Sequence, residues 1–271
     1  MRTILVPTDF SDTADKARDY AILLAEKLNA KIILLNTYYI RYSGPSVATL
    51  SNLNKVALEE SEKAMSNQLE HLNLNYSNIN FKALCKAGLL VDSIKRIGQK
   101  MKVDLIVMGT TGASGVIGNW LGSNTSALVD SISIPIIVVP NNAICNFPKH
   151  IAVTMELMVL EEEKLIEAIT EIGGDSASRI DLLLVVDEDK QQVEDKIKRR
   201  NSDFINSKYH PFYFKKGANV AVEILEHIKN KNFDLLAVVS NQRKIWEGLL
   251  YKSISNSLVN NATIPLFVLP D

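Results

Sequence analysis

Short apolar runs alternate with longer stretches of helical periodicity along the first half of the chain. Five runs are typical of strands: residues 3–7, 31–38, 78–85, 103–109 and 135–139. Their character is near-continuously apolar, apart from polar residues in the third run, which predicts strands that are covered on both faces, as in a parallel sheet. Four intervening stretches have apolar residues at helical spacing and predict helices: residues 11–29, 50–72, 89–100 and 123–131.

The order of these elements predicts an α/β fold. Parallel strands need crossover connections, and strands that alternate with helices provide them in a doubly wound sheet. Ser11 or Asp12 is the expected N-cap of the first helix, because both side chains accept hydrogen bonds from backbone N–H groups. In this architecture ligands bind at the carboxyl ends of the strands, where the strand order reverses.

The pattern occurs twice. Residues 104–140 align without a gap with residues 234–270, at a shift of 130 residues, and the alignment matches Asp104 with Asp234 and Ser123 with Ser253. Near the front, ILVPTD at residues 4–9 aligns with IAVTME at residues 151–156, at a shift of 147 residues. The first copy therefore carries about 17 extra residues before its third strand.

This repeat predicts two tandem doubly wound domains, each a five-stranded parallel sheet flanked by helices. They would span residues 1–142 and 149–271, with the boundary in the turn-forming segment 141–149. The last strand of each copy, residues 136–139 and 266–268, is apolar and falls at the edge of its sheet. Since an unpaired apolar edge invites pairing, we expect the copies to pack as a pseudo-twofold pair through these strands.

Composition excludes several classes of protein. The chain has 271 residues, 46% of them hydrophobic and 23% charged, as in a globular protein. A net charge of −1 does not indicate a binder of nucleic acid or anionic membranes, and no apolar run approaches the roughly 20 residues that span a bilayer. The start, MRTILVPTDFSD, is not typical of a secretory signal, so a cytoplasmic location is expected.

The candidate chemistry lies in a glycine-rich segment, MGTTGASGVIGNWLGSN, at residues 108–124. It leaves a predicted buried strand and leads into a predicted helix. Glycines in such a turn let backbone N–H groups approach a phosphate, and the helix N-terminus adds partial positive charge. The segment therefore predicts a site for a phosphorylated small molecule.

The glycine spacing resembles that of a known family. Gly109, Gly112, Gly122 and Ser123 follow G-x2-G-x9-G-[ST], which is neither a Walker loop nor a dinucleotide fingerprint. Together with VPTD, IPIIVVP and the tandem repeat, this spacing is similar to the universal stress protein family over both halves of the chain. The resemblance implies ATP, or AMP or ADP, bound without a Walker motif.

Residue by residue, the resemblance implies two groups of contacts. Gly109 and Gly112 would lie near the ribose and phosphates, and Gly122, Ser123 and Asn124 would cradle the phosphates. The position of polar Asn124 often carries a small apolar residue in the family.

The resemblance places the base and ribose at the strand ends. Asp9 matches an acid near the adenine and ribose, with Pro7 beside it, whereas Asn36 and Thr37 match the adenine-side edge and Met108 packs beneath the nucleotide. Independently of the family, a carboxylate such as that of Asp9 suits ribose hydroxyls, an amino group or a Mg²⁺ ion.

Each of these residues also has a purely structural interpretation. The glycines can be simple turn formers, and Ser123 and Thr125 can be helix caps. Asp9 can cap the helix that begins near Ser11. Gly118 has a counterpart, Gly248, in the half that lacks the other glycines, so both are expected to serve the turn rather than a ligand.

The second half lacks the glycine pattern. The counterparts of the three pattern glycines and of Asp9 carry side chains of other kinds: Val239, Gln242, Lys252 and Glu156. Because Cβ atoms then stand where the backbone would approach phosphate, one nucleotide per chain is expected.

Nothing in the sequence resembles a nucleophile, base and acid set, so no catalytic residue and at most slow ATP hydrolysis are expected. The four histidines are expected at the surface or at strand ends: His71, His150, His210 and His227. The leading hypothesis is an ATP-binding protein of stress response or signalling, with a homodimer as a further arrangement. The alternatives are a nucleotide-dependent transferase or adenylating enzyme, and a nucleotide-free scaffold of the same fold.

Overall fold

The structure is a computed structural model of the chain. It describes residues 2–40, 47–110, 123–129, 131–155, 163–173, 179–186, 209–215, 220–239 and 263–269. The strands are β1 Thr3–Pro7, β2 Lys31–Tyr38, β3 Phe81–Ala87, β4 Leu105–Gly109, β5 Ile136–Val139, β6 His150–Met155, β7 Arg179–Val186, β8 Tyr209–Lys215, β9 Leu235–Val239 and β10 Leu266–Leu269. The helices are α1 Asp12–Leu28, α2 Val47–Asn75, α3 Leu90–Met101, α4 Ser123–Val129, α5 Glu163–Ile172 and α6 Val220–Lys231.

The strands form one ten-stranded sheet in the order β3-β2-β1-β4-β5-β10-β9-β6-β7-β8. Within each half the strands are parallel. The two halves have the same strand order, β3-β2-β1-β4-β5 in the first and β8-β7-β6-β9-β10 in the second. In each half the direction of winding reverses between its first and fourth strands, which are β1 and β4 or β6 and β9. The halves join where β5 pairs antiparallel with β10, with Phe267 opposite Ile137. The predicted doubly wound architecture is confirmed, and the last strands pair as the sequence predicts.

Two hydrophobic layers cover the sheet, one on each face. Helices α1, α2 and α5 contribute to one layer, and α3, α4 and α6 contribute to the other. Each layer contains fully buried residues from both halves of the chain. On the α1 face, for example, Val6 of β1 and Val153 of β6 belong to one continuous cluster. The core is therefore shared across the β5–β10 junction.

Local signals set the ends of α1. Ser11 is the N-cap, and its Oγ accepts a hydrogen bond from Ala14 N at 3.3 Å. Asn29 ends the helix in the left-handed conformation with φ 49°, and its N–H donates to the Ala25 carbonyl. Of the two N-caps that the sequence allows, the structure uses Ser11.

The third strand begins later than the sequence predicts. Helix α2 continues to Asn75, and a turn then closes with a hydrogen bond of 3.1 Å from Ile79 N to the Tyr76 carbonyl. This turn uses the residues predicted to open the strand, so β3 begins at Phe81.

The extra residues of the first half lie between β2 and β3. Residues 39–80 connect these strands, whereas residues 187–208 connect β7 and β8, so the first connection is about twenty residues longer. Most of this longer connection is the helix α2, which has 29 residues. The first half of that helix, residues 47–60, contains no buried residue, and Ser61 is the first that is buried.

The repeat is visible in side-chain contacts. Asp104 Oδ2 accepts a hydrogen bond of 2.7 Å from Thr3 N at the start of β1. Asp234 Oδ2 accepts one of 3.0 Å from His150 N at the start of β6. In both halves, therefore, the matched aspartate holds the amino end of the first strand.

An ion pair also joins the two halves beside the β5–β10 pairing, because Arg2 Nη2 lies 2.5 Å from Glu171 Oε1 on α5. Within the first half, Lys16 Nζ of α1 donates to the carbonyl of Asn141, just after β5, at 2.7 Å. Among the described residues, no helix is long and apolar enough to cross a membrane.

Candidate functional site

The predicted site lies at the carboxyl ends of β1, β2 and β4. Strand β1 is flanked by β2 and β4, and Pro7 at its end pairs with Leu35 of β2. The winding direction of the first half reverses between β1 and β4. This edge is where a doubly wound sheet binds its ligands.

The candidate residues divide between the two faces of the sheet. Residues alternate between faces along a strand, and Leu5, Leu35 and Ile106 belong to the layer that contains α3 and α4. By this alternation Pro7, Thr37 and Met108 lie on the α3 and α4 face, where Met108 is 5% exposed.

Asn36 and Gly109 lie on the opposite face, toward α1 and α2. The Asn36 side chain is buried, and both ends of its amide have partners. Its Nδ2 donates to the Thr8 carbonyl at 2.8 Å, and its Oδ1 accepts from Ser61 Oγ at 2.7 Å. Asn36 therefore ties the end of β1 to α2, and this amide is engaged within the protein.

Asp9 stabilises the start of α1. Its Oδ1 accepts hydrogen bonds from Ser11 N at 3.2 Å and from Ser11 Oγ at 2.6 Å. Ser11 in turn caps the helix, so the structural interpretation of Asp9 has direct support. Asp9 is nevertheless an exposed residue at the carboxyl edge of the sheet.

Between these residues, Phe10 adopts a left-handed backbone conformation with φ 62°. Bulky residues rarely adopt this conformation, and it clusters at binding sites. Thr8 Oγ1 accepts a hydrogen bond of 3.0 Å from Phe10 N, which helps to hold the turn. The side chain of Phe10 is 38% exposed.

Gly109 allows α1 to approach the end of β4. A Cβ atom at this position would lie 2.6 Å from Thr13 Cγ2 and 2.9 Å from the Thr13 carbonyl oxygen. The second contact is with backbone, so it cannot be relieved by a side-chain rotation. This position requires glycine for packing, whether or not a ligand is present.

Helix α4 follows the glycine-rich segment. Ser123 is its first residue, Asn124 is exposed, and the buried Thr125 donates through Oγ1 to the Gly109 carbonyl at 3.4 Å. Thr125 thus joins α4 to the end of β4. The remaining predicted residues lie outside the described part of the chain: Gly112, Gly118, Gly122, Glu156, Gln242, Gly248 and Lys252.

Sequence reasoning missed three residues that shape this edge: Thr8, Thr13 and Ser61. Only Ser61 had a recognisable signal, since it is a polar residue on the same helical stripe as the buried Met65 and Leu72. The expectation for the histidines was wrong for His227, which lies within α6 and has a buried Nε2 atom.

Comparison with known proteins identifies the family. The model of the family described as "Universal stress protein family" matches residues 1–140 and 213–270. The chain belongs to this family. The first matched region covers β1 to β5, and the second covers the end of β8 together with α6, β9 and β10.

Relatives found by sequence and by structure are also universal stress proteins. Universal stress proteins MJ0531 and MJ0577 of Methanocaldococcus jannaschii are 28% and 27% identical, each over 51% of this chain and over 81% and 94% of their own lengths. A universal stress protein from Archaeoglobus fulgidus matches 99% of this chain and 98% of its own, with a TM-score of 0.73 at 15% identity. That likeness shows the fold along the whole chain.

Proposed function

We propose that the first half binds one adenine nucleotide, ATP or its products AMP or ADP, at the carboxyl edge of β1, β2 and β4. The observation that carries the proposal is the pattern of Gly109, Gly112, Gly122 and Ser123, which begins at the last residue of β4, beside the reversal of strand order. Family membership supports the same assignment.

Each part of this edge offers suitable chemistry. Glycines of the segment after β4 provide backbone N–H donors for phosphate oxygens. The exposed carboxylate of Asp9 suits a ribose hydroxyl or a Mg²⁺ ion that accompanies the phosphates. Thr37 and Met108 complete the α3 and α4 face of this edge. Since the Asn36 amide already has two partners in the protein, its contribution is to position Thr8 rather than to contact the base.

We assign a single nucleotide to each chain. Val239 ends β9 in the position of Gly109, and the counterparts of Gly112 and Gly122 are Gln242 and Lys252. A phosphate site of the same kind would need backbone to approach the phosphate at these positions, and a residue with a Cβ atom hinders that approach. The second half then supports the first through the shared sheet and remains free for a different role.

The function that follows is binding rather than turnover. The protein acts in stress response or signalling, in the cytoplasm, and its conformation or assembly depends on nucleotide occupancy. The last strands of the two halves already pair with each other, so a homodimer would have to form through other surfaces.

Calorimetric titration of the full chain with Mg-ATP tests the proposal. We expect a stoichiometry near one, and Gly122→Val should abolish binding because a branched side chain then fills the phosphate position. As a control, Lys252→Val introduces valine at the aligned position of the second half and should leave the affinity for Mg-ATP unchanged. Unchanged affinity in Gly122→Val would refute the site assignment, and a stoichiometry near two would refute the single-site assignment.

Analysis of the purified protein separates the alternatives. Mass spectrometry of small molecules released by denaturation should detect an adenine nucleotide. If no nucleotide is released and the titration shows no heat of binding, the alternative of a nucleotide-free scaffold is favoured. Covalent transfer of a labelled adenylyl or phosphoryl group to a second substrate would favour the transferase or adenylating enzyme.

A further inference from the structure

A second group of polar side chains lies at the opposite end of the sheet, in the half without the glycine pattern. His150 is the first residue of β6 and pairs with Arg179, the first residue of β7. Asp181, two residues further along β7, pairs with His210 of β8. Helix α6 covers this face, and its His227 completes the group. We call His150, Arg179, Asp181 and His227 the amino-end cluster.

A buried carboxylate lies at its centre. Asp181 is 0% exposed. Arg179 donates to it from Nε at 2.8 Å and from Nη2 at 3.3 Å. His150 Nε2 lies 3.2 Å from Asp181 Oδ2, but its geometry does not make a hydrogen bond, and this nitrogen is buried. Arg179 and His150 therefore both face the same buried carboxylate.

The environment of His227 is apolar and aromatic. Its ring centroid lies 4.5 Å from that of Phe212, 5.6 Å from that of Phe214 and 5.8 Å from that of Phe233. Its buried Nε2 has no hydrogen-bond partner among the described residues. A protonated ring would carry a buried N–H donor without an acceptor, which is unfavourable.

Charges from every packed element act on this ring. Asp181 of β7 favours the protonated form, whereas Lys231 of α6 and a protonated His150 oppose it. Further groups at this end are Arg179 of β7, His210 of β8, and Asp234, whose carboxylate accepts from His150 N. These charged groups surround His227, which has no part in the proposed nucleotide site.

We propose that the amino-end cluster is an acid-sensitive latch between α6 and the sheet of the second half. At neutral pH the imidazole of His227 is uncharged and α6 is closed over the aromatic side chains. On acidification, His227 is protonated favourably only when α6 moves away and exposes its ring to water.

The direction of the pH dependence follows from His227. Burial, first of all, lowers the pKa of His227 in the closed form from its ordinary value of 6.5. The open form therefore binds the proton at higher pH than the closed form. Closure is complete above pH 6.5 and weakens as the pH falls below this value toward the lowered pKa.

Hydrogen exchange of the full chain at pH 7.5 and 5.5, corrected for the intrinsic pH dependence of amide exchange, tests the latch. Amides of α6 should exchange faster at pH 5.5, by up to about tenfold, which is the limit for one histidine that is protonated only in the open form. Helix α3 occupies the corresponding place in the first half and should change less than about twofold. No acceleration in α6, or equal acceleration in α3, would overturn the proposal.

Substitution identifies the responsible group. His227→Phe keeps a ring among the three phenylalanines and should abolish the acceleration of α6 at pH 5.5. His71→Phe makes the same change at an exposed histidine of α2 and should retain it. Since a phenylalanine at 227 could impair folding, His227→Gln provides a second neutral variant. An acceleration of α6 that persists in a folded variant at 227 would contradict the assignment.

Discussion

Two residues at the candidate site, Asn36 and Gly109, have structural roles that do not depend on a nucleotide. The Asn36 amide bridges the Thr8 carbonyl and Ser61, and Gly109 allows the first turn of α1 to approach β4. Both contacts fix the relative positions of the strand ends. A substitution at either residue is therefore expected to change stability by itself, and any effect on the proposed nucleotide binding must be measured separately.

Gly109→Ala should lower the free energy of unfolding by about 1–3 kcal/mol, because its Cβ would meet the Thr13 backbone. Denaturant unfolding without nucleotide measures this effect. Thr13→Ala removes Cγ2 but not the carbonyl oxygen, so the double variant should recover only part of the loss. Unchanged stability in Gly109→Ala would show that packing does not require this glycine.

Ser61→Ala should cost about 1–2 kcal/mol, because the buried Asn36 Oδ1 loses its donor. Ser66→Ala, at an exposed position of the same helix, is the matched control and should change stability by less than about 0.5 kcal/mol. Urea unfolding of the two variants compares them directly. Equal effects would show that the buried contact contributes nothing specific.

At the scale of elements, the two halves use the same device to align their first and fourth strands. Asp104 and Asp234 come just before β4 and β9, and each carboxylate accepts a backbone N–H at the start of the first strand of its half. Asp234 also accepts from Lys149 N at 3.1 Å. The repeated sequence thus encodes a repeated contact.

Asp104→Ala and Asp234→Ala should each lower the free energy of unfolding by about 1–3 kcal/mol, because backbone donors lose a charged acceptor. The corresponding Asn variants keep one acceptor oxygen and should lose less. Chemical denaturation followed by circular dichroism measures all four. An Ala variant no less stable than its Asn counterpart would contradict the proposed role.

At the scale of the whole molecule, the halves share one sheet and two hydrophobic layers. Strand β10 pairs with β5 of the other half, and Phe267 is 1% exposed opposite Ile137. Neither last strand is left as an exposed apolar edge, which would invite association with other chains. The halves are consequently expected to unfold together.

Phe267→Ala should lower the free energy of unfolding by about 3–5 kcal/mol, since it removes a buried aromatic ring at the junction. Hydrogen exchange should show reduced protection in both halves. Tyr39→Ala, at a side chain that is 61% exposed, should change stability by less than about 0.5 kcal/mol. Loss of protection confined to the second half would show that the halves unfold independently.

The amino-acid sequence alone predicts the order of the elements, the repeat and the pairing of the two halves. Apolar periodicity and the Ser11 cap are local signals, because each reflects which positions face the core or which backbone group lacks a partner. The repeat transfers the same fold to the second half, and the apolar last strands predict their own pairing. The glycine pattern that supports the nucleotide proposal is also a feature of consecutive residues.

Which distant side chains come into contact depends on tertiary packing. Periodicity indicates that Ser61 and Asn36 face the interior, but not that they contact each other across the connection between β2 and α2. The approach of Thr13 to Gly109 depends on how α1 packs on the sheet. The meeting of His150, Asp181 and His227 depends on strand register and on the position of α6. These contacts join separate elements, and their partners are set by three-dimensional packing rather than by local pattern.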